Sequence, residues 1–321
     1  MPSADADATP PTVYRFDAIG APWRIDTPEP LGADVVAEVA ARIDEFDRTY
    51  SRFRDDSLVS RIKREPGRHT FPADAAPLFD LYRRLYTATD GAVSPLVGER
   101  LENLGYDRSY SLTPSPTAVR VPSWDNAFHW DGEALTTARP VLLDVGAAGK
   151  GYLVDLVAGI LADAGMTEYV VDASGDLVHR GTTPLRVALE HPRDPTRAIG
   201  VVTLSNAALC ASASNRRAWG AGLHHVLDAI TGEPTSRVIA TWAVVAAQPT
   251  TGATHLPTMT ADGLATGLFF RSTDELGASF GASASTTANG TDGTPGAFQA
   301  VRMLADGSID SSSNFSGELF L

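Results

Sequence analysis

Apolar residues recur at a helical period in two segments of the N-terminal third. In the first segment the recurring residues are Val35, Val36, Val39, Ile43 and Phe46. This spacing of three and four predicts a helix over about residues 32–50. In the second segment Leu78, Tyr82 and Leu85 share one helical face, and Gly91 is a typical residue after a helix end. We therefore expect a second helix within residues 75–91.

Beyond residue 140 the pattern alternates between short apolar runs and longer helical ones. The runs VLLDVG, EYVVDASGD, LRVALEH, IGVVTLS and IATWAVVAA predict strands. The run KGYLVDLVAGILADAG predicts a helix that ends at Gly165, and a further helix is expected in LPTMTADGLATGLFF. A strand with a turn at Gly20 is expected in TVYRFDAIGAPWRIDT, and a hairpin that turns at Asp306 and Gly307 is expected near the end of the chain.

Together these elements predict one α+β domain, with mixed and antiparallel sheets flanked by helices in two packed lobes. No internal repeat and no clean linker divides the 321 residues. Residues 1–11, rich in proline, aspartate and alanine, predict a disordered lead-in to a domain that spans residues 12–321. The small polar residues at about 280–296 predict a mobile loop.

Composition narrows the class of protein. Hydrophobic residues make up 43% of the chain, enough for a sizeable core, and the formal net charge is -13. Nucleic acids and anionic membranes repel such a protein, so neither is an expected partner. Cys210 is the single cysteine, which excludes an intrachain disulfide. Neither a secretory signal nor an apolar run of about 20 residues is visible, which predicts a cytoplasmic protein without a transmembrane segment.

The first candidate site is the glycine-rich stretch LLDVGAAGKGYLVDLVAGI. Gly146, Gly149 and Gly151 surround Lys150, one of only two lysines, where a strand is expected to lead into a helix. Backbone N–H groups at a helix N-terminus and one ammonium together form an anion site. The spacing is not that of a P-loop. The alternative is a glycine-rich turn with a solvated lysine.

The second candidate site is the stretch LHHVLDAITGEP. His225 and Asp228 lie close together in the sequence beside a Thr231-Gly232 turn, which is near enough for an imidazole and a carboxylate to share one site. Because histidine titrates near neutrality, His225 is suited to act as a general base. A surface turn after a strand is the alternative and is favoured when this stretch is taken alone.

The third candidate site combines a carboxylate and a hydroxyl within an otherwise apolar helix. Asp262 and Thr266 are four residues apart and therefore lie on one face. Two hard oxygen ligands on one face suit Mg²⁺. The alternative is a capped helix start, in which Thr260 or Asp262 is the N-cap and Thr266 bonds back to a carbonyl.

Two weaker stretches complete the set. In FDRTYSRFRDDSLVSRI, the aromatic rings of Tyr50 and Phe53 precede Ser57, which is placed either to cap a helix or to line a pocket for a flat ring. In VVDASGDLVHRG, two acids flank a Ser174-Gly175 turn that is typical of a hairpin.

In their order along the chain these stretches resemble the ApbE family of FAD:protein FMN transferases. The resemblance extends from about Phe16 to Leu321 and rests on DAIGA, SRFRDDSLVSRI, GAVSPLVG, LDVGAAGKGYLVD, VVDASGDL, LCASAS, HHVLDAITGEP and TADGLATGLFF. It implies a T-fold-related domain that binds FAD and Mg²⁺. It also implies transfer of FMN to a threonine or serine hydroxyl of an acceptor protein, with release of AMP.

The resemblance also implies a set of site residues. Flavin-site positions correspond to Ile19, Phe53, Ser94, Asp144, Lys150, Ser212 and Val226. The Mg²⁺ ligands correspond to the backbone carbonyl of Ala147 and the side chains of Asp262 and Thr266. His225 corresponds to the general base, and Asp228 and Lys150 are further expected catalytic residues.

Several flavin-site positions depart from the family pattern, whereas the metal set is intact. Ile19-Gly20-Ala21 replaces Met-Gly-Thr, Ser94 replaces an aspartate, and Ser212-Ala213-Ser214 replaces Ser-Gly-Asp. These departures keep two alternatives open, an Mg²⁺-dependent FAD pyrophosphatase and a flavin-binding protein without chemistry. A dinucleotide fingerprint and a nucleophile elbow are both missing from the sequence.

The stretch QPTTGATHLP resembles the acceptor motif of the family, a Ser/Thr-Gly-Ala-Thr segment preceded by an aspartate. Gln248 stands at the aspartate position, and Thr254 would be the modified residue. A chance match in a loop of small residues is the favoured explanation over self-flavinylation.

Overall fold

The structure is a computed structural model that describes residues 11–247, 256–281 and 298–320. Its helices are α1 (Ala33–Tyr50), α2 (Leu58–Arg64), α3 (Ala76–Ala88), α4 (Gly98–Asn103), α5 (Trp124–Ala127), α6 (Gly149–Asp163), α7 (Pro257–Gly267), α8 (Thr273–Gly281) and a 3-10 helix at Pro95–Val97. Its strands are β1 (Thr12–Ala18), β2 (Ala21–Thr27), β3 (Arg68–Thr70), β4 (Phe128–Trp130), β5 (Ala134–Thr137), β6 (Tyr169–Asp172), β7 (Asp176–Arg180), β8 (Leu185–His191), β9 (Asp194–Leu204), β10 (Ala207–Ala213), β11 (Ala218–Trp219), β12 (Leu223–His224), β13 (Leu227–Asp228), β14 (Glu233–Pro234), β15 (Val238–Ala246), β16 (Gln299–Leu304), β17 (Ile309–Ser311) and β18 (Glu318–Leu319).

A large antiparallel sheet forms the centre of the fold. Its strand order is β1-β2-β6-β7-β10-β15-β16-β17, and each pairing is antiparallel. Smaller sheets have the orders β18-β9-β8 and β3-β5-β4, and two ribbons pair β11 with β12 and β13 with β14. This combination of helices and antiparallel sheets confirms the predicted α+β class.

The large sheet buries apolar side chains on both faces, because successive residues of a strand point to opposite sides. On β10, Cys210 packs into a core shared with α1, α3, α6 and α7, whereas its neighbour Leu209 packs into a second core. The second core is closed by Leu189 of β8 and Val202 of β9. The helices and the small sheet therefore cover opposite faces of the large sheet.

Most of the predicted elements are confirmed. The predicted helices over 32–50 and 75–91 are α1 and α3, and the helix predicted to end at Gly165 is α6. The Ser174-Gly175 turn joins β6 to β7 as a hairpin, and Asp306 and Gly307 lie in the turn between β16 and β17. Within the described ranges, no helix is long and apolar enough to cross a bilayer.

The strand predicted at VLLDVG, residues 141–146, is wrong. Val141 and Leu143 are buried, but the segment belongs to no sheet. The segment packs beside the 3-10 helix instead of a strand, and the N–H of Asp144 donates to the carbonyl of Pro95 at 2.8 Å. Gly98 permits this close approach, because a Cβ there would lie 2.6 Å from the carbonyl oxygen of Leu142. A buried apolar run is therefore extended here without a ladder partner.

Three predictions fall wholly or largely outside the described residues. They are the lead-in at 1–11, of which only Pro11 is described, the loop at about 280–296, and Thr254 as a modified residue. The first two residues of the predicted loop, 280 and 281, belong to α8.

Helices α6 and α7 cap each other through buried aspartates. Asp155 of α6 accepts hydrogen bonds from the first backbone N–H groups of α7, at Thr258 (3.1 Å) and Met259 (2.8 Å). In return, Oδ2 of Asp262 on α7 accepts one from the N–H of Gly151, in the first turn of α6, at 2.9 Å. Each carboxylate thus satisfies orphan donors of the other helix. The sequence analysis considered Asp262 as a metal ligand or as a cap for its own helix, but not as a cap for α6.

Gly151 makes this reciprocal capping possible. A Cβ at this position would lie 2.3 Å from the carbonyl oxygen of Thr258 and 2.7 Å from Cβ of Asp262. Only glycine therefore lets the two helices approach closely enough for the N–H of Gly151 to reach the Asp262 carboxylate.

Candidate functional site

A cavity of about 1100 Å³ opens beside the N-terminus of α6. The cavity is lined by eleven of the site residues that the sequence analysis expected: Ile19, Phe53, Ser94, Asp144, Ala147, Lys150, Ser212, His225, Val226, Asp262 and Thr266. These residues come from seven separate parts of the sequence. The fold therefore brings together the stretches that were weak signals when taken one at a time.

Ala147, Asp262 and Thr266 form one end of the cavity, which we call the oxygen corner. Oγ1 of Thr266 donates to the carbonyl oxygen of Ala147 at 3.2 Å, and Asp262 lies one turn before Thr266 on α7. Two oxygens of an octahedral Mg²⁺ shell lie at roughly this separation, about 3 Å. Among the described residues, only the N–H of Gly151 hydrogen bonds to the Asp262 carboxylate, through Oδ2. Oδ1 is therefore left for a ligand.

The donor set of the oxygen corner suits a hard cation. Among the described residues, no group of three or more His, Cys, Asp or Glu side chains is placed to hold a metal ion. A metal would thus depend on the Ala147 carbonyl and the Thr266 hydroxyl together with the single carboxylate. Carbonyl, hydroxyl and carboxylate oxygens are ligands that Mg²⁺ takes, whereas softer metals prefer nitrogen and sulfur.

Lys150 lies beside the oxygen corner and is held by the turn between β6 and β7. Its Nζ donates to the carbonyl of Ala173 at 2.8 Å and pairs with Oδ2 of Asp176 at 3.1 Å. Burial acts to lower the pKa of Lys150, but Asp176 and then Asp262 outweigh it and raise that pKa. Lys150 therefore stays a cation in the cavity wall. Burial, and then the charge of Asp176, raise the pKa of Asp262 well above its usual range.

Asp144 is part of a buried ion pair with Arg52. The Arg52 Nε donates to Oδ2 of Asp144 at 2.6 Å, and the N–H of Gly146 donates to Oδ1 at 2.7 Å. Burial acts to raise the pKa of Asp144, but the Arg52 guanidinium outweighs it and holds that pKa below its usual range. Nη2 of Arg52 is buried without a hydrogen-bond partner among the described residues. Because Arg52 lines the cavity, this unpaired donor lies near the space in which a ligand would bind.

Four aromatic rings form another side of the site, which we call the aromatic wall: Phe53, Tyr106, Tyr110 and Trp219. The rings of Phe53 and Tyr110 are parallel, with an interplanar angle of 2° and centroids 5.4 Å apart. Tyr106 meets Phe53 edge-on and stacks on Trp219. The guanidinium of Arg52 lies 4.2 Å from the centre of the Phe53 ring. Flat rings and a cation of this kind suit an aromatic ligand.

The two adjacent histidines have different environments. Nε2 of His224 lies 2.7 Å from the carbonyl of Thr235, and its Nδ1 accepts from the N–H of Val226, so this side chain ties the loop together. His225 is half-buried and lines the cavity. Burial, and then the charges of Arg217 and His224, lower the pKa of His225 to about 3. His225 is thus a neutral imidazole at neutral pH and is free to accept a proton.

The remaining flavin-site positions line the cavity in different ways. Ile19 lies in the two-residue turn between β1 and β2 with φ 46°, a left-handed conformation that β-branched residues rarely adopt. The hydroxyl of Ser94 caps the 3-10 helix by accepting from the N–H of Leu96 at 3.2 Å. Val226 is buried, and Ser212 is half-buried on β10. Strain at a cavity-lining residue such as Ile19 is typical of functional sites.

Asp228 is the one expected site residue that does not line the cavity. Its Oδ1 accepts from the N–H of Ile230 at 2.8 Å, within the turn that joins β13 to β14. The geometry therefore gives Asp228 a role in shaping the turn after His225, the alternative that the sequence analysis favoured for this stretch.

Several cavity residues were missed by the sequence analysis. They are Arg52, Tyr106, Tyr110, Asp176, Arg217 and Trp219. Asp176 was noticed, but only as part of a hairpin. Of the arginines and lysines that line the cavity, Arg217 alone makes no ion pair with a described residue. A second aromatic run, GYDRSYSL, was the signal that could have indicated Tyr106 and Tyr110.

The fold and the cavity define an α+β protein whose ligand site joins an oxygen corner to an aromatic wall. The model of the ApbE family matches residues 18–284, so this chain belongs to the ApbE family. The resemblance seen in the sequence is thereby confirmed.

Individual relatives agree with this assignment. The FAD:protein FMN transferase of Klebsiella pneumoniae (strain 342) is 27% identical over 295 residues, which are 83% of this chain and 81% of that protein. An ApbE protein from Thermotoga maritima has a similar fold, with a TM-score of 0.76 at 20% identity over 94% of this chain and 97% of that one. The apo form of the flavinyl transferase ApbE from Pseudomonas stutzeri gives a TM-score of 0.74 at 22% identity over 96% of each chain.

Proposed function

We propose that this chain transfers FMN from FAD to a threonine or serine hydroxyl of an acceptor protein and releases AMP, in an Mg²⁺-dependent reaction. The observation that carries the proposal is the oxygen corner, because Thr266 and the Ala147 carbonyl are 3.2 Å apart and share one cavity with Lys150 and His225. The curated relatives of the chain, among them the protein of Klebsiella pneumoniae, are named FAD:protein FMN transferase.

The oxygen corner would hold Mg²⁺ through Asp262, Thr266 and the Ala147 carbonyl. When bound there, Mg²⁺ would offset the negative charge that builds up on the pyrophosphate oxygens as the bond between the two phosphates breaks. Lys150 adds a positive charge beside the oxygen corner. The net charge of -13 does not oppose this arrangement, because the stabilising charges are local.

His225 would take the proton from the acceptor hydroxyl. Its imidazole is neutral at neutral pH, because burial and then Arg217 lower its pKa to about 3. An anionic substrate beside the ring would raise this pKa, as Asp144 already acts to do, and would make the imidazole a better base. The hydroxyl oxygen then forms the new bond to the FMN phosphorus, AMP leaves with the electron pair, and the proton remains on His225.

The aromatic wall would bind a ring of FAD, with Arg52 close to the anionic part of the molecule. Phe53 and Tyr110 offer flat faces, and Nη2 of Arg52 is a buried donor without a partner among the described residues. The departures from the family pattern at Ile19, Ser94 and Ser212 lie on this cavity as well. Flavin affinity and acceptor choice are therefore the properties in which this chain would differ from its relatives.

The proposal is tested by incubating the protein with FAD and Mg²⁺ in the presence of a protein that carries an Asp-x-x-Ser-Gly-Ala-Thr segment. We expect equal amounts of AMP, measured by chromatography, and of acceptor with covalent flavin fluorescence, measured in a gel. The control acceptor has alanine in place of the modified hydroxyl residue and should stay unlabelled. A second control with EDTA should release no AMP.

Two results would contradict the proposal in different ways. AMP and free FMN without a labelled acceptor would indicate a pyrophosphatase, with water in place of the hydroxyl. FAD that remains intact with every acceptor would indicate a binding protein. A cytoplasmic location stays a prediction from the sequence.

A further inference from the structure

Asp176 is a buried carboxylate at the cavity to which the proposed reaction assigns no role. It begins β7, directly after the Ser174-Gly175 turn, and its side chain is 1% exposed. No well-aligned hydrogen bond from a described residue reaches its carboxylate oxygens, although Lys150, Cys210 and Ala211 lie close enough to act against the rise in its pKa that burial causes. Its close charged contact is Nζ of Lys150 at 3.1 Å. Because an unsatisfied buried carboxylate is unfavourable, this ion pair is its principal stabilising contact in the described structure.

Lys150 in turn has little freedom to move. An ammonium has three N–H donors. They face the carbonyls of Ala173 (2.8 Å) and Ser174 (3.5 Å) and the carboxylate of Asp176. The ammonium is therefore fastened to the β6–β7 turn on one side of the cavity, and its position depends on Asp176.

The two carboxyl groups at this end of the cavity oppose an anionic ligand. Lys150 faces both of them, Asp176 and Asp262, and Arg217 acts on Asp262 as a second, more distant cation. Removing the charge of Asp176 would make the region more positive whether or not Asp262 is ionised. A divalent cation in the oxygen corner would likewise reverse the sign of the local charge.

We propose that Asp176 is a positioning residue that holds Lys150 on the β6–β7 turn and cancels its charge, so that FAD binds tightly only together with Mg²⁺. This inference rests on the proposed function, because it takes FAD and Mg²⁺ as the ligands of the cavity. Binding free energies are reciprocal, so Asp176 also makes Mg²⁺ binding depend on FAD. The site would thereby hold little FAD in the absence of the metal that the reaction needs.

The test measures the dissociation constant of FAD by calorimetry, once with saturating Mg²⁺ and once with EDTA. We expect Mg²⁺ to tighten FAD binding strongly in the unaltered protein. Asp176→Asn, which keeps the shape of the side chain, should reduce this tightening by about tenfold, mainly by improving binding in EDTA. Asp310→Asn is the matched control, since Asp310 is also an aspartate in an ion pair, with Arg302, but lies outside the cavity and is 34% exposed. This control should change the ratio of the two FAD dissociation constants, in EDTA and in Mg²⁺, by less than about twofold, because water and salt screen exposed charges.

A second pair of variants asks whether Asp176 acts through Lys150. Lys150→Met leaves Asp176 buried without its cation and should lower both Tm and FAD affinity in EDTA. Adding Asp176→Asn to Lys150→Met should then restore part of both, so the two substitutions are not additive. Circular dichroism at 25 °C checks that each variant is folded.

The outcomes separate this inference from the proposed function. An Mg²⁺ dependence in Asp176→Asn equal to that of the unaltered protein would overturn the role of Asp176, and so would additive effects in the double variant. If the FAD titrations change as expected but no acceptor is labelled, the inference stands and the transfer activity does not. If acceptors are labelled but FAD affinity is the same with Mg²⁺ and with EDTA, the transfer activity stands and the inference about Asp176 does not.

Discussion

The oxygen corner and the aromatic wall are two parts of one cavity with opposite construction. Asp262 and Thr266 of the oxygen corner lie on α7, which caps and is capped by α6, and Asp262 is only 6% exposed. In the aromatic wall, Tyr110 lies in an irregular segment with φ 50° and is 53% exposed. The part proposed to bind a metal is thus built largely on packed helices, and the part proposed to contact a flat ring is built largely on irregular segments.

This difference has a physical basis. Metal ligands have to be held at defined distances, and a helix pair fixed by buried hydrogen bonds provides that rigidity. Stacking against a ring tolerates small displacements, and its strength comes from area and desolvation. The departures from the family pattern at Ile19, Ser94 and Ser212 all lie outside the oxygen corner, as expected if that corner tolerates less change.

The largest effect should follow from removing the charge of the oxygen corner. Asp262→Asn should lower kcat for AMP release by at least about 100-fold, because even outer partners of metal ligands are commonly worth 10- to 100-fold. Asp155→Asn is the matched control, since Asp155 also caps a helix from a buried position but does not line the cavity. Its kcat should be nearly unchanged. Equal losses in both variants would show that helix capping controls turnover.

The buried caps of the two helices should also make stability depend on pH. Burial raises the pKa of Asp155 to about 7, so between about pH 4 and pH 7 the folded state keeps a proton that the unfolded chain has released. Asp155 therefore contributes stability at low pH that is lost as the pH rises through about 7. Urea titrations should show that the unaltered protein becomes more stable relative to Asp155→Asn when the pH is lowered from 7 to 4.5. A constant difference between the two proteins would contradict the assigned burial.

The contact between α6 and α7 should be sensitive to a single methyl group. Gly151→Ala should lower the free energy of unfolding by about 1–3 kcal/mol or more, since the new Cβ would overlap the Thr258 carbonyl. Gly159→Ala on the same helix is the control, because a Cβ there meets no atom within 4 Å. It should raise the free energy of unfolding by up to about 1 kcal/mol through helix propensity. Thermal unfolding of the two variants should therefore shift in opposite directions.

The smallest effect should come from the aromatic wall. Tyr110→Ala removes a ring that pairs with both Phe53 and Tyr106. A lost contact between this ring and FAD, worth about 0.5–1.5 kcal/mol, should weaken FAD binding by up to about tenfold without changing kcat. Tyr14→Ala removes a ring that pairs with Phe16 outside this cavity and should leave FAD affinity unchanged. If Tyr110→Ala tightened FAD binding, Tyr110 would instead be a competitor of the ligand for the face of Phe53.

The sequence analysis succeeded where the signal was local. The periodicity of Val39, Ile43 and Phe46 predicted α1, and the four-residue spacing of Asp262 and Thr266 placed both on one helical face. It was wrong at residues 141–146, because a buried apolar run has the same composition whether it pairs with a strand or packs on a helix. Neighbours distant in the chain decide that choice.

The sequence analysis missed features that depend on long-range contacts or on unusual backbone conformations. Nothing in the sequence near Asp155 or Gly151 indicates that each meets α7 more than a hundred residues later. Tyr110 adopts a positive φ without being a glycine, so no turn pattern predicts where its ring lies. Asp176 was read as part of an ordinary hairpin, because its importance comes from the lysine that the fold places beside it.

The reciprocal capping of α6 and α7 also sets an order for the synthesis of the chain. The carboxylate that completes the N-terminus of α6 lies 111 residues after Gly151. At the usual pace of translation this stretch takes on the order of ten seconds to emerge. Until then, a nascent chain carries the Lys150 loop without the helix that supplies Asp262 and Thr266. Incomplete chains released from the ribosome before α7 would therefore lack the oxygen corner, and FAD chemistry would belong to the finished polypeptide alone.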